Sequence, residues 1–389
     1  MAKQKKIIKL SNKRNKKLAK KIIKMLRIPI VIIAVLSALF LSARLLGNVA
    51  VSNITDSIRG VKTVFAKGGG YPHSLDAFGF REVTAIGGKP LVIYEDTTEI
   101  LNSSAAETFS MQLGSADSKV VSQNGRALIY SNTSNEVFLQ SRTEKLGSVE
   151  ERGSIVTAEL SNNGYIATSF SADEYESVLS VYNRYFEKVF QWNCSQEKIS
   201  SIGLSKNGRN VAVAAVGSEN AEIYTRLILF DIGSSEPVAD LMQRGTMFLK
   251  VVYTDSNKII AVGDNKTVVL NKKGDVVDEL VYPEDTIVSV SADDPGNTVI
   301  CYKEFGGAKT AIVRFSKTGK KTYSITLDGV PDCVAADGGK TAVANGDKIT
   351  VYASNGDEGK TIETEHPVIG IFWCSGDIYT VESGKLCKY

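Results

Sequence analysis

The amino-acid sequence predicts an all-β domain, an eight-bladed β-propeller with seven blades as the alternative, preceded by one N-terminal transmembrane helix. Three observations predict this architecture: an apolar segment behind a basic tail, a change from helical to strand periodicity, and a repeat of roughly 40 residues in the remainder. Together they divide the chain into a basic tail (1–27), a transmembrane signal anchor (28–46), a helical stalk with a glycine linker (47–70) and the propeller (71–389).

The charge of the chain is distributed unevenly. Residues 1–27 hold twelve Lys or Arg and no acidic residue, although the formal net charge of the whole chain is only +3. Past Asn48, 33 basic residues face 43 acidic ones. A basic tail on an acidic body does not favour nucleic-acid binding, and beside a membrane the tail is expected to attract anionic lipid.

The apolar segment predicts a membrane anchor. Residues 28–43 carry no charged side chain, and with their apolar flanks they are long enough to cross a bilayer as a helix. The preceding Lys and Arg residues place the N-terminus in the cytoplasm and the body outside it, in a single-pass protein of the cell membrane. The predicted anchor residues are Ile28, Ile32, Leu36, Phe40 and Ala43.

A cleaved signal peptide is the alternative to an anchor. The charged region would then be unusually long, and Leu41-Ser42-Ala43 is a poor cleavage site, so an uncleaved anchor is favoured. Beyond it, apolar residues recur at spacings of three and four up to Phe65, which predicts a helical stalk ending at Gly68-Gly69-Gly70. The stalk could pack on the propeller or the membrane surface, or pair as a short parallel coiled coil.

The body contains eight copies of a unit in which two apolar strands flank a turn. The interval between successive turns is 37 to 48 residues, which suits one four-stranded blade per copy. Turns such as Asn124-Gly125 and Asn207-Gly208 are typical of two-residue hairpins, because these residues adopt positive φ at low cost. The turn positions are Gly88, Gly125, Gly164, Gly208, Ser256, Gly296, Gly338 and Gly376.

The last copy is one strand short. Only three strands fit between Ile369 and the last residue, so the fourth must come from elsewhere in the chain. The segment from Tyr71 to Phe78, ahead of the first copy, is predicted to supply it by pairing with the strand from Lys385 to Tyr389. Such closure leaves no sheet edge free to pair with other chains.

This layout resembles an uncharacterised family of bacterial membrane-anchored propellers, within the broader group of quinoprotein-like and WD40-like propellers. The resemblance rests on the basic tail, the anchor, the glycine break before Tyr71-Pro72, and the repeats. It implies fold and topology but no activity. The chain departs from quinoprotein dehydrogenases in having only Trp192 and Trp373, and it lacks the Gly-His and Trp-Asp pairs of WD40 repeats.

Residues suited to catalysis or metal binding are sparse. The two histidines, His73 and His366, are interpreted as structural or exposed, since three-histidine zinc is excluded and no nucleophile elbow occurs. Asp293, Asp294 and Asn297 could bind Ca²⁺, but a hairpin turn uses the same residue types and is favoured. No catalytic residue, cofactor or metal site is predicted, and the five widely spaced cysteines are interpreted as small buried hydrophobes.

These observations favour a non-catalytic module that presents an extracytoplasmic surface to a protein or an envelope polymer. Loops on a rigid scaffold are where such folds carry function. Two alternatives remain at this stage: a quinoprotein-like, cofactor-binding enzyme, and a transmembrane sensor coupled to the basic tail. The first rests on analogy of fold and the second on the charge of the tail.

Overall fold

A computed structural model of the chain describes residue 37, residues 66–76, 79–292 and 298–389. The chain divides into two units, residues 1–55 and 56–389. In the first unit only Ser37 is described, as helical and exposed. The predicted anchor residues Ile28, Ile32, Leu36, Phe40 and Ala43, and the predicted stalk up to Phe65, lie outside the described residues. Within the part that is described, no helix is long and apolar enough to span a bilayer.

The second unit confirms the eight-bladed propeller. Thirty-two strands form eight four-stranded sheets, and every neighbouring pair of strands is antiparallel. In blades 1 to 7 the four strands of a sheet follow one another along the chain. The first strands of successive blades approach one another, so each first strand is innermost and each fourth strand is outermost.

The bounds of the strands follow blade by blade. Blades 1 to 4 contain β2 (Phe80–Ile86), β3 (Lys89–Tyr94), β4 (Thr97–Leu101), β5 (Glu107–Gln112); β6 (Ser118–Gln123), β7 (Arg126–Ser131), β8 (Glu136–Gln140), β9 (Lys145–Glu150); β10 (Ile155–Leu160), β11 (Ile166–Ala172), β12 (Tyr175–Tyr182), β13 (Lys188–Cys194); and β14 (Lys198–Leu204), β15 (Asn210–Glu219), β16 (Glu222–Asp231), β17 (Ala239–Arg244). Blades 5 to 8 contain β18 (Phe248–Tyr253), β19 (Ile259–Gly263), β20 (Lys266–Leu270), β21 (Val276–Val281); β22 (Ile287–Ser291), β23 (Val299–Lys303), β24 (Lys309–Phe315), β25 (Lys321–Asp328); β26 (Cys333–Asp337), β27 (Lys340–Asn345), β28 (Lys348–Tyr352), β29 (Glu358–Glu363); and β30 (Val368–Cys374), β31 (Asp377–Glu382), β32 (Lys385–Lys388), with β1 (His73–Ser74) as the outer strand of blade 8.

Blade 8 is built from both ends of the propeller. His73 pairs with Leu386 and Ser74 pairs with Lys385, and the Leu75 N–H donates to the Gly384 carbonyl at 2.8 Å. This strand is two residues long, shorter than the predicted segment from Tyr71 to Phe78. The chain therefore fastens its ring through a few hydrogen bonds and the packing around them.

The hairpin turns follow the predicted chemistry. Asn124 and Gly125 have φ angles of 47° and 74°, which is the double positive φ of a type I′ turn. In the copy without a turn glycine, Asn257 takes the positive φ instead, at 56°. Asparagine tolerates this conformation better than other non-glycine residues, so the repeat keeps its geometry without a glycine.

The hydrophobic core lies between blades. Each of the eight clusters of buried side chains draws on two adjacent sheets; Leu179 of blade 3, for example, packs in one cluster with Val213 and Phe230 of blade 4. Burying a side chain as large as Phe230 contributes roughly 2 to 3 kcal/mol. Because every blade shares its core with both neighbours, the ring positions its surface connections rigidly.

Candidate functional site

The ring has two faces, defined by the connections between strands. The loop face carries the connections from second to third strand and from blade to blade, including residues 75–79 before β2. The turn face carries the connections from first to second strand and from third to fourth strand. Both follow from the strand bounds and the antiparallel order of each sheet. They are the two surfaces that a propeller presents beside its rim.

The loop face is acidic. Its connections hold fifteen Asp or Glu but one basic residue, Arg152, among the residues that the structure describes. A surface of one sign attracts oppositely charged partners over several ångströms in dilute salt. The fifteen are Asp76, Glu95, Asp96, Asp117, Glu151, Asp173, Glu174, Glu197, Asp264, Glu284, Asp285, Glu304, Asp332, Asp347 and Glu365.

The most exposed large hydrophobic side chains also lie at the loop face. Phe305, in the connection between β23 and β24, is 91% exposed, Val281 is 71% exposed and Ile369 is 67% exposed. Val281 ends β21, and Ile369 is the second residue of β30 beside the channel mouth. Exposed apolar side chains set among charges are typical of surfaces that bind other proteins.

The turn face has the opposite balance. Its described connections hold nine Lys or Arg and six Asp or Glu. The connection between β22 and β23 also contains Asp293 and Asp294. With Asn297 they form the calcium site considered from the sequence, and all three lie outside the described residues. The nine basic residues are Arg142, Arg184, Lys206, Arg209, Lys258, Lys272, Lys273, Lys317 and Lys320.

The chain enters the propeller at the turn face of blade 1. The Gly68 and Gly70 N–H groups donate to Ser104, to its Oγ at 3.1 Å and its carbonyl at 3.0 Å. In return, the Asn102 Nδ2 group and the Ser104 Oγ donate to the Ala66 carbonyl at 2.9 and 3.0 Å. A Cβ on Gly68 would lie 2.2 Å from the Ser104 carbonyl oxygen, so this close approach requires glycine.

A cavity of about 420 Å³ occupies the centre of the ring toward the turn face. First strands of several blades line it, and two ion pairs stand in its wall: Lys250 to Glu159 and Lys206 to Asp255, each with 3.6 Å between nitrogen and oxygen. Lys317 adds a further cation. The volume is within the range of small-molecule sites, and the wall offers both signs of charge.

Buried carboxylates mark the junctions between blades. Glu197 is 3% exposed and accepts hydrogen bonds from Cys194, Tyr224 and Arg226 at 3.0 to 3.3 Å. Glu151, 5% exposed, accepts from Thr168, Tyr182 and Lys188 at 2.6 to 3.2 Å. Sequence reasoning missed both networks, because their members are up to 37 residues apart. Their satisfied hydrogen bonds suit a structural role.

The thiols form no disulfides and have low reactivity. All five cysteines are free, and Cys194, Cys301 and Cys374 are buried, as expected for small hydrophobic residues. Burial raises the pKa of the Cys301 and Cys374 thiols to about 12, and that of Cys194 and Cys387 to about 11 with help from neighbouring carboxylates. Thiols with such pKa values carry little thiolate near neutral pH.

The two histidines are far from any metal-binding geometry. His73 lies in β1, with its Nε2 atom 3.8 Å from the Glu99 carboxylate, and burial raises the pKa of Glu99 while the histidine opposes that rise. His366 lies in the exposed connection before β30, where its carbonyl accepts from Thr364. Across the described residues, no group of three His, Cys, Asp or Glu could hold a metal ion.

The predicted closing residues are placed as follows. The Tyr71 ring packs edge-on against Tyr379 at 5.2 Å, and its hydroxyl donates to the Asn102 carbonyl at 2.9 Å. Lys385 pairs with Ser74, and the Tyr389 hydroxyl donates to buried Glu382 at 3.0 Å. Phe78 lies outside the described residues. The structure thus brings Tyr71, Lys385 and Tyr389 to one edge of blade 8, beside a cavity of about 400 Å³.

The fold and surfaces define a closed eight-bladed propeller with one acidic face and one more basic face. The sequence comparison then identifies the family. Residues 76–388 match DUF5711, described as a family of unknown function, and the chain belongs to that family. No curated protein matches the chain.

Solved structures similar to this chain include a WD40 domain. The C-terminal WD40 domain of Sif2 is 14% identical with a TM-score of 0.58, covering 83% of this chain and 98% of that one. Sqt1 of Saccharomyces cerevisiae is 11% identical with a TM-score of 0.56, covering 82% and 96%. BamB from Moraxella catarrhalis is 11% identical with a TM-score of 0.49, covering 82% and 98%. At such identities the first two likenesses show the fold alone.

Proposed function

We propose that the protein is a membrane-anchored, non-catalytic binding module whose loop face holds a protein partner outside the cytoplasm. One observation carries the proposal: the side chain of Phe305, 91% exposed, stands on a face whose described connections contain fifteen carboxylates and one arginine. An aromatic side chain at that exposure has no packing role in the ring. Aromatic residues of this kind are common anchors in protein interfaces.

The charge of the loop face restricts the partner. Carboxylates around an apolar centre complement a partner that carries Lys or Arg around an apolar pocket. Such complementarity acts on the rate of association and weakens with salt. The proposed partner is therefore a protein with a basic, partly apolar surface, and its binding should be faster at low ionic strength.

Membrane attachment supports the proposal from the sequence side. The uncharged segment of residues 28–43, taken with its apolar flanks, is long enough to cross a bilayer and follows twelve basic residues, which favours a signal anchor. An anchored propeller would keep its partner close to the outer surface of the membrane. Holding a partner near a surface raises its local concentration without any new contact.

Site-specific crosslinking tests the proposed face. A photoreactive residue at Val330 should crosslink one discrete partner in cell membranes; Val330 lies in the connection after β25, which is joined to the Phe305 connection by the hydrogen bond from the Gly329 N–H to the Ala308 carbonyl at 3.0 Å. The same probe at Ser354, exposed on the turn face of blade 7, is the control. Adding Phe305→Ala should lower the Val330 crosslink by roughly tenfold, the scale of an interface anchor. Equal products from both probe positions, or none from Val330, would refute the loop face as the site.

The central cavity favours a second candidate, a small ligand in the channel. Its volume of about 420 Å³ and its lysine–carboxylate pairs could hold a compact polar molecule. For the quinoprotein-like alternative, pyrroloquinoline quinone with Ca²⁺ is the direct probe. A visible absorption band or a rise in melting temperature would support it, and an unchanged spectrum and melting temperature would eliminate it.

A further inference from the structure

We infer that the turn face of the propeller binds anionic lipid headgroups, so that the body rests on the membrane surface. This inference rests on the proposed function, because it places an anchored body outside the cytoplasm. Beyond the protein partner proposed above, anionic lipid is then a second ligand, and the turn face is its binding surface. Two independent features of the turn face carry the inference.

The first feature is the point at which the chain enters. Ala66, Gly68 and Gly70 are fixed to Asn102 and Ser104 by hydrogen bonds of 2.9 to 3.1 Å, on the turn face of blade 1. The chain therefore joins the propeller at this face and not at the loop face. In the proposed anchored protein, the point of attachment, or tether, of the body is thus on the turn face.

The second feature is a set of exposed lysines across the ring from that tether. Lys272 and Lys273 lie in the turn between β20 and β21, and Lys317 and Lys320 lie in the turn between β24 and β25. All four side chains are exposed, and none of them forms an ion pair within the part of the chain that the structure describes. Blades 5 and 6 lie opposite or nearly opposite blade 1 in an eight-bladed ring.

These lysines stand on rigid turns. The Asn271 Oδ1 atom accepts from the Lys273 and Asp275 N–H groups at 2.8 and 3.1 Å. The Ser316 Oγ atom accepts from the Thr318 and Lys320 N–H groups at 3.3 Å each. The turn of blade 6 also packs closely on blade 5, since a Cβ on Gly319 would lie 3.3 Å from the Lys258 side chain. The two turns thus present their charges from a fixed platform.

Apolar side chains accompany the charges. Tyr185 is 46% exposed in the turn of blade 3, with the Arg184 guanidinium 5.1 Å from the centre of its ring. Val276 and Val277, 46% and 48% exposed, follow the turn that carries Lys272. Aromatic and basic residues together are typical of protein surfaces at the membrane interface. A tether on one side and lysines on the other would hold the face parallel to the bilayer.

The opposite face is less suited to this role. Of the fifteen carboxylates in its connections, all but the buried Glu151 and Glu197 would be repelled by anionic headgroups, whereas each lysine close to such a surface gains about fivefold in binding. The two faces therefore have different ligands: the turn face binds lipid, and the loop face remains accessible to a protein. Free phosphate offers the same chemistry as a headgroup, so the experiment must separate the two sources.

The experiment measures hydrogen exchange of the full chain in lipid nanodiscs. Discs of phosphatidylcholine are compared with discs of equal phosphatidylcholine and phosphatidylglycerol. Backbone exchange in peptides spanning residues 271–275 and 316–320 should slow by about fivefold or more in the anionic discs, and the effect should disappear in molar salt. Exchange at the loop face, including the connection with Phe305, should be the same in both discs.

A matched pair of variants assigns the effect. Replacing Lys272, Lys273, Lys317 and Lys320 by Gln should abolish the slowing. Replacing four exposed lysines at the loop-face ends of strands, Lys198, Lys303, Lys309 and Lys348, should preserve it at an equal change in net charge. Both variants should keep the wild-type melting temperature, since none of the eight side chains is buried. Equal exchange in both lipid compositions, or equal loss in both variants, would overturn the inference.

Two further results separate the possible failures. If soluble polyphosphate in neutral discs slows the same peptides equally, the lipid assignment is wrong. If the full chain does not enter discs at all, the anchor proposal fails, and co-flotation with phosphatidylglycerol vesicles then tests the turn face alone. Loss of flotation in the turn-face variant but not in the loop-face variant would still support lipid binding by the turn face. No flotation of the wild type would overturn that inference.

Discussion

Besides the apolar clusters, single polar residues buried between blades stabilise this ring. Glu197 illustrates the point, because its carboxylate is almost completely withdrawn from water and depends on Cys194, Tyr224 and Arg226 for hydrogen bonds. Removing a cationic partner leaves a buried charge without compensation, which costs more than losing an exposed pair. The same rule applies to Glu151 with Lys188.

The first prediction concerns Arg226. Arg226→Met should lower the free energy of unfolding by roughly 3 kcal/mol, because Glu197 would keep only its neutral donors. Arg244→Met is the matched control in the same blade: its partners Glu219 and Glu222 are solvent-exposed, so stability should change little. Urea titrations monitored by tryptophan fluorescence measure both. Similar losses in the two variants would contradict the structural role assigned to Glu197.

The second prediction concerns the pH dependence contributed by Glu99. Burial raises the pKa of its carboxyl above that of an exposed glutamate, so the folded state binds its proton more tightly than the unfolded state. Stability from this group is therefore present at low pH and is lost as pH rises through the raised pKa. The wild type should therefore lose stability relative to Glu99→Gln as the pH rises through that pKa. Parallel pH curves for the two proteins would count against the prediction.

At the scale of elements, sequence and structure agree wherever the chemistry is local. A hairpin turn needs positive φ, and Gly125 and Gly208 supply it at the predicted positions, whereas in the fifth copy Asn257 supplies it one residue after the predicted Ser256. The eight-copy repeat therefore specified the blades. The length of the closing strand could not be predicted from local sequence. Whether two residues pair or eight depends on how Tyr71 and Leu75 pack against blade 8, and no short-range pattern encodes that packing.

The candidate surfaces were only partly predictable for a related reason. The sequence showed an acidic body but not how its charges are divided. The division appears once strands are assigned, because the connections then alternate between the two faces. Asp332, Asp347 and Glu365 fall on the loop face, and Lys317 and Lys320 fall on the turn face. The exposure of Phe305 depends on the whole ring and has no signal in the residues around it.

The third prediction concerns ring closure. A chain beginning at Gly79 lacks β1 and Leu75, so it loses the pairing of His73 and Ser74 and the packing of Leu75 against Leu386. Its melting temperature should fall markedly, and it should aggregate through the exposed edge of β32. A chain beginning at Gly69 retains these contacts and should remain folded and monomeric. Equal melting temperatures would show that the short strand does not fasten the ring.

A point variant tests the same junction without changing chain length. Leu75 is 7% exposed within the cluster between blades 8 and 1. Leu75→Ala should cost roughly 2 to 4 kcal/mol through lost contacts and a residual cavity. An exposed substitution in the same junction, Arg81→Ala, should have a much smaller effect because its pair with Glu95 is largely solvated.

At the scale of the whole molecule, the two faces and the tether make a consistent arrangement. The described chain enters at the turn face, the basic connections lie there, and the acidic, apolar connections lie on the other side of the ring. A protein partner and a membrane could then be bound at the same time without competition. This arrangement requires the predicted topology, with the tail in the cytoplasm and the propeller outside it.

The last prediction tests that topology. Trypsin added to the outside of intact cells should cut between the predicted anchor and residue 66, because Arg59 and Lys62 lie there ahead of the docked Ala66, while the closed ring offers only short connections to a protease. The released fragment should begin near residue 66, remain folded and leave the membrane, while residues before 47 stay with it. Replacing the twelve basic residues of the tail by Gln should reduce the share of molecules that release this fragment, since the excess of Lys and Arg sets the orientation. If the fragment is released only after the cells are broken, the propeller lies inside the cytoplasm and the proposed anchoring is wrong.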